Sequence, residues 1–321
     1  TNNTTSIGLA ASGSGNIPSF NAINTGTAPV VATVTVTPSF TNAGVTCVGT
    51  PGTFTITVNP IPSVNTVASQ VLCNGFSTAA VNFTGNVAGT TFSWTNSVPG
   101  IGLSASGTGN IASFKAINTG NSPVIATITV TPIANGCSGT PVSFTIRVNP
   151  TPTITLSTSI PPLLVPGRLL NITATTNPSG GSFVWFRNNV VVQNQAGPVL
   201  PNIDIDALGT YRTQYTDPNG CVSVSSDVVV AADKTEKLFI YPNPNRGIFQ
   251  VRLYEESTQE ITVNVYDSKG SRVYQKKTIT TGPFTQILVN LGQGARGTYL
   301  VEVLKQNGQR AGTKPVLVTF F

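Results

Sequence analysis

The chain has 321 residues, 9% of them charged, a formal net charge of +6, and neither histidine nor methionine. The absence of imidazole removes the commonest general base, the Ser-His-Asp triad and most zinc and copper sites, and because no acidic residue precedes Asp204 the first two thirds cannot hold a carboxylate pair. With 31 glycines and 23 prolines set among Thr, Val, Asn and Ser, the composition predicts an all-β protein, and a basic balance that reflects scarce acid rather than a basic patch predicts no nucleic-acid partner.

In chain order the first signal is an internal repeat. Ile7-Gly8-Leu9 through Gly15-Asn16-Ile17 returns as Ile101-Gly102-Leu103 through Gly109-Asn110-Ile111, an offset of 94. Cys47 and Asn59-Pro60 return as Cys137 and Asn149-Pro150 at an offset of 90, so the first copy carries four extra residues before its cysteine. Thr1-Asn2 aligns with Thr95-Asn96, just after Phe92-Ser93-Trp94. The chain is therefore expected to open inside a repeat whose first strands are absent, as a fragment of a longer protein.

Within a copy, residues 30–36 and 53–58 alternate polar and apolar side chains with period two, the pattern of strands with one buried face. Asn-Pro-Ile-Pro at 59–62 and Asn-Pro-Thr-Pro at 149–152 read as stiff, extended joints, because proline fixes φ and cannot continue a central strand. These joints predict an incomplete repeat over 1–60 and a complete one over 61–150. A third module, 151–233, has Trp185 on a central strand and Tyr211 two residues after Gly209, with Thr213 where a cysteine often stands in immunoglobulin-like sandwiches. Residues 1–150 resemble the PKD-like repeats of long Bacteroidetes surface proteins, and residues 151–233 resemble the immunoglobulin-like modules found beside them.

Of the four cysteines, Cys73 stands early in the complete repeat and Cys137 late, after Asn135-Gly136, a placement that makes a Cys73–Cys137 disulfide plausible. Such a bond would contribute roughly 4 kcal/mol by loop entropy. Cys47 has no partner in its own partial copy, and Cys221 is either free or paired across domains. No CxxC pair and no histidine support a metal reading. The cysteines point instead to an oxidising, extracytoplasmic compartment.

After Ala232 charges return, and a domain over 234–321 is expected, with six strands separated by Asp267-Ser268-Lys269-Gly270, Thr281-Gly282-Pro283 and Asn307-Gly308 turns. This predicts a small antiparallel sandwich. Tyr241-Pro242-Asn243-Pro244 at its start, Asp267 and Gly270 in the middle, Gly297 with Tyr299, and Lys314 leading the last strand together resemble the type A sorting domain of the type IX secretion system. The closing segment, with Phe320-Phe321, is longer and more aromatic than expected of that family. The resemblance implies export through an outer-membrane translocon, transfer to an outer-membrane barrel shuttle protein, removal by a sortase-like peptidase, and residence at the cell surface or in the medium.

Other candidates are weighed against bland alternatives. Asp204 and Asp206, with Asp217 or Asp227, are a conceivable calcium site, but an acidic solvated face is the simpler reading. Ser12 to Asn16 and Ser106 to Asn110 mimic phosphate-binding glycine loops without the following helix or lysine, and read as turns. Trp94, Trp185, Phe92 and Phe186 are expected in sandwich cores rather than on a glycan platform. No catalytic, cofactor or metal residue is expected. The reading is of a non-enzymatic, carboxy-terminal portion of a secreted adhesin or filament protein with an unknown surface ligand. Two alternatives stay open: a stalk of a secreted degradative enzyme whose catalytic domain lies upstream, and a carbohydrate-binding module.

Overall fold

The computed structural model describes residues 1–192, 197–292 and 294–319. Phe320 and Phe321, part of the aromatic closing segment, lie outside the described residues. Among those described, regular structure is β-strand apart from three 3-10 turns, Thr5–Ile7, Pro99–Ile101 and Ile205–Ala207. The chain forms two compact units, Thr1–Thr151 and Pro152–Phe321.

In the first unit, strand Val124–Ala134 is paired on one side with Val142–Asn149 and on the other with Thr91–Asn96, both antiparallel. Gln70–Cys73 adds parallel to the outer edge of Val142–Asn149, and Ser106–Thr108 closes the other side. On this strand, the counterpart of residues 30–36, the alternation holds: Ala126, Ile128 and Val130 point inward while Ile125 and Thr127 face water, whereas on Gly52–Val58 only Val58 is buried. Against this sheet lies a looser layer in which residues 76–83 and 111–116 pair through the bridges Ser77↔Lys115 and Val81↔Ile111. Phe83, Phe92, Trp94, Ile128 and Phe144 fill the space between. A methyl group on Gly107 would lie 2.2 Å from the Trp94 ring, so this glycine is required for the tryptophan to seat. Trp94 is thus a core residue, and the Ser106 to Asn110 segment is strand and turn.

The two copies share an asparagine with the same bonds and a glycine with the same conformation. Asn118 Nδ2 donates to the carbonyls of Val148 (2.8 Å) and Ser122 (2.9 Å) while its Oδ1 accepts the Gly120 N–H (3.0 Å). Its counterpart Asn24 donates to Val58 (2.8 Å) and Ala28 (2.9 Å) and accepts from Gly26 (2.9 Å). Gly8 and Gly102 both take left-handed φ, at +92° and +96°, and a Cβ on either would collide with a backbone carbonyl, at 2.4 and 2.5 Å. Buried Asn118 satisfies three backbone groups at once, and losing it strands them in the interior. Asn118→Ala is expected to cost about 1–2 kcal/mol, and Asn24→Ala less because Asn24 is half exposed. Urea unfolding of the two variants checks this.

Cys137 is free, so the expected Cys73–Cys137 bond is not formed. Register gives the reason. Cys73 lies beside Asn149, just past the Val148↔Val124 pair, whereas Cys137 pairs with Ala134 at the other end of the same strand. Ten residues of strand separate those ends by roughly 30 Å, far beyond the ~7 Å limit for bridged Cα atoms. Cys73 is instead disulfide-bonded elsewhere, and Cys47 is free and exposed.

The second unit contains two sandwiches. In the first, Thr153–Thr158, Leu170–Asn177 and Val199–Ile203 form one sheet; Gly209–Thr216, flanked by Ser182–Arg187 and Val228–Ala232, centres the other. Trp185, Tyr211 and Tyr215 are buried between them. The Tyr211 hydroxyl donates to the Ala207 carbonyl, and Thr213, in place of a cysteine, donates its hydroxyl to Val184 O at 3.1 Å. Cys221 is buried and disulfide-bonded rather than free. The second sandwich packs a three-stranded sheet, Phe239–Tyr241, Ile248–Arg252 and Ile287–Asn290, on a four-stranded antiparallel one. The latter runs Arg272–Ile279, Glu260–Tyr266, Gly297–Lys305, Arg310–Val318, over a core of Phe249, Val263, Val289, Val301 and Val316.

Candidate functional site

Of the residues singled out in 234–321, Asn243, Gly297, Tyr299 and Lys314 lie on or against the last strand, Arg310–Val318, whereas Asp267 and Gly270 do not. Its inner edge pairs with Gly297–Lys305, setting Gly297 opposite Val318 and Tyr299 opposite Val316. Its outer edge, which would otherwise be open, is closed by the segment after Phe239–Tyr241. Asn243 acts as a surrogate strand: its Oδ1 accepts the Leu317 N–H at 2.9 Å and its Nδ2 donates to Pro315 O at 3.3 Å. Asn245 continues the ladder through its backbone, donating to Leu317 O at 3.0 Å and accepting from Thr319 N at 2.8 Å. The Asn245 side chain then bonds Gly247 N at 2.7 Å, turning the chain into Ile248–Arg252. The prolines on either side of Asn243 suit this role, since neither has an N–H to leave unpaired.

Lys314 is half buried, donating to Leu238 O at 3.2 Å with its ammonium 5.9 Å from the Phe239 ring centre. It ties the last strand to the entry of the first and is not a merely solvated edge charge. Asp267 and Gly270 form the turn after Tyr266, whose partner is Leu300. The Asp267 carboxylate accepts the N–H groups of Lys269 and Ser271, both at 2.9 Å, and Gly270 has φ +83°. Tyr299 OH accepts the Arg296 N–H at 3.2 Å. Every one of these contacts is a hydrogen bond or packing contact that shapes the domain's end, with no nucleophile and base brought together.

Tyr241 leads to Arg252, which the sequence did not single out. The Arg252 guanidinium sits 5.6 Å from the Tyr241 ring centre and, although itself 2% exposed, makes two bonds to the Asp206 carboxylate, at 2.5 and 2.8 Å. The hydrogen bond from Arg252 holds the Asp206 carboxyl below its ordinary pKa, outweighing the opposing effect of burial. Burial raises the Tyr241 phenol. Asp206 is thereby committed to an ion pair, Asp204 caps the Ile205–Ala207 turn, and Asp217 accepts the N–H groups of Asn219 and Cys221. The four aspartates considered for calcium do not converge, and among the described residues no group of three or more acidic or thiol side chains could hold a metal ion.

Residues 239–318 match the family model of the secretion system C-terminal sorting domain. The chain carries a type IX secretion sorting domain. Residues 70–152 match the PKD-like domain. With these two modules the chain is a protein exported to the cell surface or extracellular space, consistent with a Bacteroidetes surface protein, and the sorting domain implicates the type IX secretion machinery as its partner. Among curated proteins no relative matches the chain. Among solved structures it is similar to murine CEACAM1b, at 14% identity over 54% of this chain and 100% of that one, TM-score 0.28. It is also similar to the four-domain Dscam1 isoform 6.9 structure, at 15% identity, 59% and 51% coverage and TM-score 0.29, so the chain spans about half of that protein. A third is SGBP-B of the Bacteroides ovatus mixed-linkage glucan utilization locus, in complex with a mixed-linkage heptasaccharide, at 14% identity, 82% and 71% coverage and TM-score 0.22.

Proposed function

We propose that this chain is the export-competent part of a cell-surface adhesin or filament protein, in which 1–60, 61–150 and 151–233 are successive spacer and interaction modules and 234–321 is the signal. The signal is handed from the translocon to an outer-membrane barrel shuttle protein and then cut away by a sortase-like peptidase. The observation that carries this reading is the closure of the last strand by Asn243 and Asn245. It sets Pro242 to Pro244 along one edge of the strand that carries Lys314, while Gly297 and Tyr299 line its other edge. The segment 233–238, between Val228–Ala232 and Phe239–Tyr241, suits peptidase access, because it has no strand pairing and leaves Lys234, Glu236 and Lys237 exposed.

The test is expression in the native host of the chain with and without residues 234–321. Surface delivery of the full chain with periplasmic retention of the truncated one is expected, and the surface product should end within 233–238 by mass spectrometry. Efficient surface delivery of the truncated chain would overturn the proposal.

A further inference from the structure

Module 151–233 and the sorting domain 234–321 share no sheet: among the described residues every strand of each pairs within its own part. They do share a core. Phe284 of the sorting domain, 1% exposed, is buried in the cluster that contains Leu164, Trp185, Leu200 and Ile205, with Ala207, Leu208, Phe239 and Tyr254 packed against it. Every other buried member of that cluster belongs to 151–233, so the neighbouring module covers the Phe284 ring, and the sorting domain's own core of Phe249, Val263 and Val301 does not. Arg252, at the end of Ile248–Arg252, closes two bonds on Asp206, which stands in the Ile205–Ala207 turn of the other part.

A seam of side chains, between parts that each complete their own sheets, is of the kind that two separate molecules form: an aromatic anchor in a pocket with a charge pair beside it. The net charges favour it too. Residues 151–233 carry three basic and five acidic side chains, and residues 234–321 carry twelve basic and six acidic. Opposite net charge draws the parts together from a distance, and the Arg252–Asp206 pair fixes their register. While residues 233–238 connect them, docking is intramolecular, at an effective concentration of about millimolar. Hydrolysis of one peptide bond in 233–238 would remove that tether and none of the cluster, whose members lie outside the segment.

We propose, resting on the cleavage reading above, that the face of module 151–233 around Ile205–Ala207 is a docking site for the sorting domain, which stays on it as a noncovalent subunit after the chain is cut within 233–238. Release of the signal is then a second event, separate from hydrolysis, in which Phe284 and Arg252 leave their seats together.

The experiment places within 233–238 of the full chain the recognition sequence of an added site-specific protease, cuts to completion, and runs the product on size exclusion at micromolar concentration. The two pieces are expected to elute together, at the position of the uncut chain. Asp206→Lys, at a side chain more than half exposed, should leave the uncut chain folded while setting like charges against each other. The dissociation constant of the cut pieces, read by dilution, should then rise at least about tenfold. Phe284→Ser should do the same; if it unfolds the uncut chain, Asp206→Lys decides alone. Pieces of the unsubstituted chain that are each folded and separate at once would overturn the proposal, as would co-elution indifferent to Asp206→Lys. Because the added protease makes the cut, neither outcome depends on the native peptidase, whose cleavage is tested separately by the carboxy terminus of the surface product.

Discussion

Phe284→Ala is expected to destabilise the second unit by about 3–5 kcal/mol, lowering its thermal midpoint by roughly 10 °C. Phe284 belongs by sequence to the turn between Arg272–Ile279 and Ile287–Asn290, yet it is 1% exposed within the cluster that contains Trp185 and Tyr215. The Phe239 and Tyr254 rings meet it edge-on, each at 5.6 Å. Its backbone φ is +56°, a left-handed conformation that costs a non-glycine residue about 1–2 kcal/mol. Burying the ring gains ~2–3 kcal/mol before packing is counted, so the side chain decides the sign. Phe284→Leu, which keeps most of the apolar volume, should lose less than half as much. A change under ~1 kcal/mol for the alanine variant would show that the ring does not occupy that core.

Asp206→Ala is expected to cost about 2–3 kcal/mol at neutral pH and much less in acid. Removing it leaves the buried Arg252 guanidinium with long bonds to Phe284 O and Gln250 Oε1, both at 3.4 Å, and an Nε that already lacks a partner. The loss falls short of the ~3–5 kcal/mol of a fully buried pair because the Asp206 side chain is itself more than half exposed, which lets water screen it. The folded-state carboxyl is held below its unfolded value of about 3.9, so the contribution is complete above that value. It is lost as pH falls from about 4 through the depressed folded pKa. Urea titrations of wild type and variant at stepped pH should therefore give a constant gap above about pH 5 that narrows in acid. A gap that stays constant down to pH 2 would remove the ion pair from the account.

The strands and the repeat were legible because each rests on a local pattern: period-two alternation in Val30–Val36, and Ile-Gly-Leu returning at a fixed offset. Trp185 and Tyr211 were legible for the same reason, as residue types tied to fixed places in a sandwich. The Asn243 clamp was only half visible. Tyr-Pro-Asn-Pro marks the place, but nothing nearby says that an amide would stand in for a strand against Leu317. Phe284 left no trace, since a phenylalanine in a Gly-Pro turn has an ordinary local reading, and Asp206 was weighed only as a calcium ligand or a solvated charge, with nothing nearby pointing to Arg252. The cysteine pairing failed through direction: the Cys47 to Cys137 correspondence was sound, but spacing along the chain does not reveal that Cys73 and Cys137 sit at opposite ends of one strand.

The Asn243 clamp has a consequence for synthesis. Its two bonds to the last strand span 72 and 74 positions, so when Asn243 leaves the ribosome its partners have not yet been made. Contacts this distant in sequence form late, and no local pairing substitutes for them. A nascent chain interrupted after Pro244 but before Pro315 would contain Tyr241 to Pro244 intact and still lack the surface that they help to form. The arrangement thus distinguishes a chain made past Leu317 from one that is not, without any further device.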